Sequence, residues 1–429
     1  MGPPASGRVH ADGAPAGGAG GRQVTAADRD DGALGPRFGL SPGMLALRDE
    51  AREFAARLRP RAMDNEWRAP RERVDWEMLE EASRRGWRTL GLPREEGGGG
   101  AGALELCLLI EELASGDMGF AVILDQTLKV QRIIARAAQA EARRRFLERF
   151  LQDPRCVLAI CFTEPEAGSD YIIPHPDFRF STQARLRPDG KWVLEGRKRF
   201  ISNGADAGFY LVFACTDPSQ PAHLGSSAFL LEPGLPGFHV EAVHEKISQR
   251  TIDNAALRFD GVVLEPWRMV GLQDLGYAGA REILRESAIE AGATTLGCAR
   301  AAYEMALEHA SRRVQGGRPI IEHANVACRL ADMYAELEAA RSLIWRAAWA
   351  VEHDPGYDYA LGSAAKLFAA DVAVRVCLSA MEIHGGLAIM YRETAVEKCL
   401  RDCVSFLHSD GAQDSHRLRI TDILKEARR

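Results

Sequence analysis

One stretch of the sequence places hydroxyl side chains beside backbone that a flat ligand could approach closely. Residues 161–170 follow the apolar run 157–160, which is typical of a buried strand. The stretch continues in small and polar residues with one proline, which indicates a loop. Thr163 and Ser169 supply hydroxyls in this loop, and Gly168 leaves room for close approach.

A second stretch, residues 198–204, combines an aromatic ring with another hydroxyl. Phe200 precedes Ser202 by two residues, so in a strand both side chains lie on the same side. The two stretches therefore predict one site that could hold a planar ring between hydroxyl donors.

Together these stretches resemble the acyl-CoA dehydrogenase family. Residues 163–170 match its Thr-Glu-Pro-x-Ala-Gly-Ser-Asp signature in full. Residues 198–204 match its Lys-x-Trp-Ile-Thr-Asn-Gly run, with Phe200 for Trp and Ser202 for Thr. The alternative is an ordinary strand and turn in an unrelated enzyme, but further matches occur in register downstream and favour the family.

The resemblance implies a flavin oxidoreductase with FAD as cofactor, acting on a CH–CH bond. Oxidising a thioester between its α and β carbons needs a base for the α-proton and hydrogen bonds to the enolate-like oxygen. It also needs the flavin N5 to accept the β-hydride. By resemblance, the residues at the cofactor are Phe162, Thr163, Gly168, Ser169, Phe200, Ile201, Ser202, Arg313, Glu382, Gly385, Gly386 and Ala412.

Some of these positions depart from the family pattern. Arg313 matches an arginine that contacts the flavin pyrophosphate across a subunit interface, with Arg312 as a rival and a solvated helix charge as the alternative. Glu382 stands where the family has a glutamine, so it points away from the diphosphate or this site is altered. Phe200 replaces a tryptophan, and a plain core aromatic is the alternative there.

The sharpest departure is the base. Counting from Arg401 without gaps, the family's catalytic glutamate falls on Asp410, which is one methylene shorter. The alternative is an ordinary loop aspartate. By resemblance, the Gly411 N–H lies beside the thioester oxygen, and Ala412 lacks the threonine hydroxyl that other members offer to the flavin.

A rival base lies on the first C-terminal helix. Some relatives, such as isovaleryl-CoA dehydrogenases, carry the glutamate there, and the gapless position in this chain is Ser287. Glu286 is next to it but faces about 100 degrees away on an ideal helix. We therefore rank Glu286 below Asp410 and expect Ser287, Ser169 and Gly411 at the substrate.

The pattern of elements predicts an α+β multi-domain fold with three parts. After a tail at 1–37 that we expect to be disordered, helical spacing covers 38–155, strand spacing 156–270 and helical spacing 271–429. We expect an N-terminal helical domain, a middle β-barrel-like domain and a C-terminal domain resembling a four-helix bundle. Ser41 and Pro42 begin the first helix, and Arg59 before Pro60 is expected to end it.

Composition excludes several classes of function. The net charge of −6 gives no basis for nucleic-acid binding or an anionic membrane surface. The nine cysteines are scattered without a Cys-x-x-Cys pair, and no spacing among the eleven histidines predicts a metal site. We expect a cytoplasmic protein, with no apolar run of membrane-spanning length.

The sequence thus predicts a FAD-dependent acyl-thioester α,β-dehydrogenase with a non-standard acyl substrate on CoA or an acyl-carrier protein. We expect electrons to pass to an electron-transferring flavoprotein or to oxygen, and the chain to form a homotetramer or homodimer. Two alternatives remain: a flavin-dependent monooxygenase on the same fold, and a catalytically silent partner subunit.

Overall fold

The computed structural model describes residues 40–172 and 175–426. The tail predicted at 1–37 lies outside the described residues.

The N-terminal part is helical. Ser41 caps the first helix by accepting a hydrogen bond from the Met44 N–H at 3.2 Å, and Pro42 occupies the first turn. The helices are α1 (Pro42–Asn65), α2 (Trp76–Arg84), α3 (Ala103–Gly116), α4 (Met118–Ala137) and α5 (Ala140–Gln152).

Helix α1 does not end before Pro60, and the prediction that it stops there is wrong. The helix continues through Pro60 to Asn65. Proline removes the hydrogen bond to the carbonyl four residues earlier, that of Ala56. Both Ala56 and Pro60 lie on the exposed face of the helix, so water can reach the freed carbonyl, while Ala62 and Asn65 continue the buried face.

The middle part is a mixed sheet. Its strands are β1 (Leu158–Cys161), β2 (Gln183–Leu186), β3 (Trp192–Ser202), β4 (Phe209–Cys215), β5 (Ser226–Leu231), β6 (Phe238–Val243), β7 (Asn254–Leu264) and β8 (Met269–Val270). They run in the order β6-β7-β3-β2-β4-β5-β8, with β1 parallel to β4. A short helix, α6 (Ala222–Gly225), precedes β5.

Both faces of the sheet are packed. All seven residues of β4 are buried, and they alternate between two apolar clusters. One cluster joins Phe209, Leu211 and Phe213 to residues of α4, α5 and the first C-terminal helix. The other joins Tyr210 and Val212 to β3 and β7. The sheet is therefore fixed between helices on one side and its own far strands on the other.

Helices return after the sheet. They are α7 (Gly276–Arg312), α8 (Ala324–His353), α9 (Tyr359–His384), α10 (Val396–Ser405) and α11 (Gln413–Glu426), with a two-strand hairpin, β9 (Val314–Gln315) and β10 (Arg318–Pro319), after α7. The predicted order of helices, strands and helices is confirmed.

Helix α9 and the turn after it are long and apolar enough, by length and composition, to cross a membrane. The most apolar 18-residue window within residues 359–389 has a mean hydropathy of 1.5, and 44% of that window is buried. By length and composition this segment contradicts the expectation that no run reaches membrane-spanning length. The helix packs against α7, α8, α10 and α11, so its apolar residues have partners within the helical bundle.

Candidate functional site

The loop after β1 is fixed to β3 by a buried ion pair. The Lys198 Nζ lies 2.8 Å from Glu164 Oε1 and also donates to the Phe162 carbonyl at 3.0 Å. The backbone N–H groups of Ser181 and Thr182 donate to the same carboxylate. Although burial opposes ionisation, the Lys198 ammonium and these donors hold the pKa of Glu164 below its ordinary value. The loop that carries the predicted hydroxyls is therefore held in one place.

The side chains of this loop and of β3 divide between the core and the surface. The Phe162 ring stacks on Phe213 with centroids 4.0 Å apart, and Ile201 is 3% exposed. Any contact of these two residues with a ligand would come from their backbone. Thr163 and Ser169 are half-buried, and Gly168 is exposed.

Phe200 is presented outward. Its backbone has a φ of 58°, which is uncommon for a residue with a bulky side chain, and its side chain is 53% exposed. The ring contacts His244 with centroids 4.9 Å apart. Phe200 lies where the pairing of β3 with β7 shifts register, so the alternation expected for a regular strand does not hold there. An exposed aromatic in a strained conformation suits a surface that a ligand covers.

The Ser202 hydroxyl is oriented by a neighbouring strand. Asn254 Nδ2 donates to Ser202 Oγ at 3.0 Å and to the Phe200 carbonyl at 3.0 Å. The Asn254 Oδ1 in turn accepts from the half-buried Lys246 Nζ. Since its oxygen already accepts from Asn254, the Ser202 O–H is available to donate.

The loop after α10 is built around two residues with positive φ. Asp410 has a φ of 48° and Gly411 a φ of 91°. The Asp410 carbonyl accepts from His416 Nε2 at 2.8 Å, and the Gly411 carbonyl accepts from Lys366 Nζ at 2.7 Å. A Cβ on Gly411 would overlap the side chain of Ile172, so only glycine fits there.

One hydrogen bond brings the two loops together. The Ala412 N–H donates to Ser169 Oγ at 3.1 Å. The predicted base, the predicted thioester contact at Gly411 and the predicted flavin loop are thus adjacent, although Ser169 and Ala412 are 243 positions apart in the chain.

Asp410 is paired with a buried lysine. Its Oδ1 lies 3.1 Å from Lys129 Nζ, and the Lys129 ammonium is 3.5 Å from Asp125 Oδ2 on the same helix, α4. The side chains of Lys129 and Asp125 are each 1% exposed, whereas that of Asp410 is 19% exposed. Water, and hence a substrate, reaches only Asp410 in this group of three.

Next to this group, two glutamates of α7 form ion pairs with one arginine. Arg132 on α4 contacts both Glu286, at 3.4 Å, and Glu290. Burial raises the pKa of Glu286 despite the arginine. The predicted substrate contact Ser287 is 4% exposed, and its hydroxyl donates to the Leu284 carbonyl of its own helix at 3.0 Å.

The remaining predicted cofactor residues lie at the far ends of α7 and α9. Arg313 is the exposed C-cap of α7, about 40 Å along that helix from Ser287. Glu382 forms an ion pair with Arg329 of α8, so its charge is balanced. Gly385 and Gly386 follow the end of α9 and are exposed, and Gly385 has a φ of 62°.

These residues fit a flavin. A Cβ built on Gly168, Gly385 or Gly386 would meet no atom within 4 Å, so the space beside each is open. Hydroxyl groups, an outward aromatic ring and backbone donors form a suitable set for a planar, polar ring system. Within residues 40–172 and 175–426, no group of three or more His, Cys, Asp or Glu side chains could hold a metal ion.

Several residues at this site were not predicted from the sequence: Lys366, His416 and Asn254, and, in contact with Asp410 itself, Lys129. The only signal for this lysine was the spacing of Asp125 and Lys129, four residues apart in a helix that is otherwise mostly apolar on that face. That spacing predicts a local ion pair but gives no sign of a contact with Asp410.

Comparison with known proteins agrees with the geometry. The predicted flavin loop lies beside a carboxylate, as expected for a flavin oxidoreductase. Family models match in three consecutive parts: acyl-CoA dehydrogenase N-terminal domain over residues 41–153, middle domain over 159–262 and C-terminal domain over 274–425. The chain belongs to the acyl-CoA dehydrogenase family, whose members are FAD-dependent.

Individual relatives cover most of the chain. It is 33% identical over 311 residues to cyclohex-1-ene-1-carbonyl-CoA dehydrogenase of Geobacter metallireducens, which is 72% of this chain and 80% of that protein. The structure of butyryl-CoA dehydrogenase from Megasphaera elsdenii superposes with a TM-score of 0.83 at 29% identity, covering 91% of this chain and 100% of that one. The structure of PigA with FAD and proline superposes with a TM-score of 0.80 at 27% identity, covering 91% and 99%.

Proposed function

We propose that this protein is a FAD-dependent acyl-thioester α,β-dehydrogenase in which Asp410 takes the α-proton. The hydrogen bond between Ser169 Oγ and the Ala412 N–H carries the proposal, because it sets the flavin loop beside the carboxylate and Gly411. Relatives named for CoA thioesters, cyclohex-1-ene-1-carbonyl-CoA and butyryl-CoA, support this class of substrate.

Each residue of the site would have its own part in the reaction. Asp410 would accept the proton as the α C–H bond breaks, and the electron pair would move toward the thioester oxygen. The Gly411 N–H, whose own carbonyl is fixed by Lys366, would donate to that oxygen. Ser202 would donate near the flavin N5, with Phe200 against the ring. The flavin, when bound, supplies the acceptor for the β-hydride.

Glu286 is less suited to be the base. It faces Arg132, on the side of the ion pairs between α4 and α7, and no contact joins it to the flavin loop among the described residues. Asp410, by contrast, is held in the same loop as Gly411.

The acyl group would be short or polar, and CoA or a carrier protein would present it. Charged side chains lie next to the Asp410 carboxylate, where a long alkyl chain would need apolar walls. PigA, one of the relatives of known structure, was solved with proline, which is a small polar molecule. The acceptor would be an electron-transferring flavoprotein or oxygen, and we place the protein in the cytoplasm.

A homo-oligomer, a tetramer or dimer, would complete the site. Arg313, Glu382, Gly385 and Gly386 lie far along the helices from Ser287, so a second copy would bring them to a flavin. The residues after α9 also expose apolar side chains: Ile389 is 68% exposed and Met390 is 51% exposed.

The test is anaerobic titration of the flavin-loaded protein with a panel of acyl-CoA and acyl-carrier thioesters, followed by the visible flavin band. We expect one short or polar thioester to bleach the flavin. Asp410→Asn should slow bleaching by at least about 100-fold, while Glu286→Gln should retain it. Bleaching that survives Asp410→Asn but not Glu286→Gln would move the base to α7.

A monooxygenase is the second candidate, because it needs no α-proton base and Asp410 is one methylene shorter than the glutamate usual in the family. If no thioester bleaches the flavin, oxygen uptake that depends on supplied reduced flavin would favour the monooxygenase. Failure to bind flavin at all would favour a silent partner subunit.

A further inference from the structure

We propose that Lys129 is a positioning residue for Asp410: its buried ammonium is the direct counter-charge of the Asp410 carboxylate and keeps that carboxylate aimed at the substrate. This inference rests on the proposed dehydrogenase function. It adds a residue from the N-terminal helices to a site otherwise made of the sheet and the C-terminal helices.

The two residues of the pair differ in burial. Lys129 lies on α4 with a side chain that is 1% exposed, and its Nζ reaches Asp410 Oδ1 at 3.1 Å. A lysine is rarely buried unless it is paired, because desolvation of the ammonium is unfavourable. Asp410, at 19% exposed, is the member of the pair that meets solvent. The lysine therefore approaches from behind and leaves the other side of the carboxylate open.

Two carboxylates lie near the ammonium, and they differ in environment. Asp125 Oδ1 and Oδ2 are buried, and neither has a hydrogen-bond partner among the described residues. Burial, with Glu290 and Asp410 nearby, raises the pKa of Asp125 well above its ordinary value, although Lys129 opposes this. Burial therefore disfavours a negative charge on Asp125. Asp410 carries the negative charge that Lys129 balances.

Other charged groups face the pair from each packed element. Lys366 of α9 holds the Gly411 carbonyl at 2.7 Å, and burial lowers its pKa to about 8. His416 of α11 donates to the Asp410 carbonyl, and burial with the nearby Lys366 lowers its pKa to about 4, so it is neutral near pH 7. Glu290 of α7 is paired with Arg132. Of these groups, Lys129 is the one whose ammonium contacts the Asp410 carboxylate directly.

A fixed positive charge also suits the reaction. When the α C–H bond breaks, the proton forms an O–H bond on Asp410 and the electron pair moves toward the thioester oxygen. The negative charge thus leaves the carboxylate for the substrate, and the total charge of the site does not change. The Lys129 ammonium balances the Asp410 carboxylate before proton transfer and stays fixed behind it as the charge moves to the substrate.

The experiment uses a thioester with sulfur in place of its β-carbon, which can lose an α-proton but has no β-hydride to give. Its enolate against oxidised flavin produces a long-wavelength band, and this band is measured against pH in the flavin-loaded protein. The band is lost at low pH, and the pH at which half of it remains is its acid limit. In Lys129→Met we expect this acid limit to rise by about 1–3 pH units, because the carboxylate loses its counter-charge. Lys129→Arg should restore the limit to near the wild-type value.

Two further variants separate charge from structure. Lys129→Gln retains a hydrogen-bond donor without a charge, so it should shift the limit in the same direction as Lys129→Met. Asp125→Asn puts a neutral amide at a buried position where a negative charge is disfavoured, and it should leave the limit close to wild type. Lys191→Met, which breaks an exposed pair with Glu265 at 2.6 Å, is the matched control and should have no effect.

The outcomes are distinct. Flavin content and thermal unfolding are measured for each variant, and Lys129→Gln replaces Lys129→Met if the latter does not fold. An unchanged acid limit in folded Lys129→Met or Lys129→Gln overturns the inference, as does an equal shift in Asp125→Asn. A wild-type protein that forms no band, and whose flavin no oxidisable thioester bleaches, overturns the proposed function itself.

Discussion

The loop that carries Asp410 is held by hydrogen bonds to its backbone as well as by the ion pair of its side chain. His416 Nε2 must donate to the Asp410 carbonyl, because a carbonyl only accepts. That leaves His416 Nδ1 to accept from the Ser363 hydroxyl at 3.1 Å. The imidazole is neutral in this arrangement; on protonation its Nδ1–H would donate, and the Ser363 hydroxyl would have to change from donor to acceptor.

This arrangement predicts a loss of stability at acid pH. Burial, followed by the charge of Lys366, lowers the pKa of His416 from 6.5 to about 4. The unfolded chain binds the proton more readily, so the contribution of His416 is present above pH 6.5 and is lost as the pH falls toward 4. We expect the free energy of unfolding to fall by up to roughly 3 kcal/mol from this residue alone.

Denaturant unfolding of wild type and His416→Gln across this pH range measures the effect. Glutamine can donate and accept in the same places but does not titrate in this range. The difference between the two proteins should therefore change below pH 6.5 and level off below 4. A difference that is constant with pH would show that His416 does not carry the expected change in protonation.

At the scale of the element, the loop after β1 depends on β3. The Glu164 and Lys198 side chains are 1% and 0% exposed, and the carboxylate accepts further hydrogen bonds from Ser181 and Thr182. Their pairing fixes the loop that presents Thr163 and Ser169, so the position of the flavin loop is set from the sheet.

Removing the lysine should therefore release the loop. In Lys198→Met the Glu164 carboxylate stays buried without its counter-charge, which we expect to lower stability by about 3–5 kcal/mol. Flavin affinity should fall with it. The double variant Lys198→Met with Glu164→Gln leaves no buried charge and should recover part of the stability, measured as the unfolding midpoint. Equal midpoints for the single and double variants would contradict this account.

The helices and strands themselves could be predicted from the sequence, because the spacing of apolar residues along a segment shows which of its own residues are buried. The spacing of apolar residues predicts a strand at 238–243 and a helix at 140–152, for example, and β6 and α5 have these bounds. Helix α1 passes through Pro60 because water reaches the Ala56 carbonyl, and that exposure depends on packing. The contact of Lys129 with Asp410 joins residues 281 positions apart, so no local pattern in one sequence could reveal it.

At the scale of the whole molecule, one buried carboxylate helps to join all three parts. Asp117, the N-cap of α4, accepts from Thr251, which precedes β7, and from Lys398 of α10 at 2.6 Å. Arg401 of α10 also pairs with Glu66 after α1 at 3.1 Å. The proposed site takes residues from the N-terminal helices, the sheet and the C-terminal helices. These contacts therefore keep the residues of the site in fixed positions relative to one another.

The chain also exposes an apolar turn at residues 387–391 that follows the predicted flavin contacts Gly385 and Gly386. Four of its side chains are at least 38% exposed, and Ile389 is 68% exposed. Adjacent exposed apolar side chains of this kind are typical of an interface. If the turn meets a second copy, Ile389→Asp should convert the oligomer to single chains, because it would bury a charge without a partner.

Sedimentation and flavin content measured together test this prediction. In Ile389→Asp both the oligomer and the retained flavin should be lost, because Gly385, Gly386 and Arg313 would then have no partner site. Leu186→Asp places the same charge on an apolar side chain that is 57% exposed at the end of β2, and it should leave both unchanged. An Ile389→Asp protein that forms single chains but keeps its flavin would show that one chain suffices to hold the cofactor. Arg313 and Glu382 would then have no part in binding it.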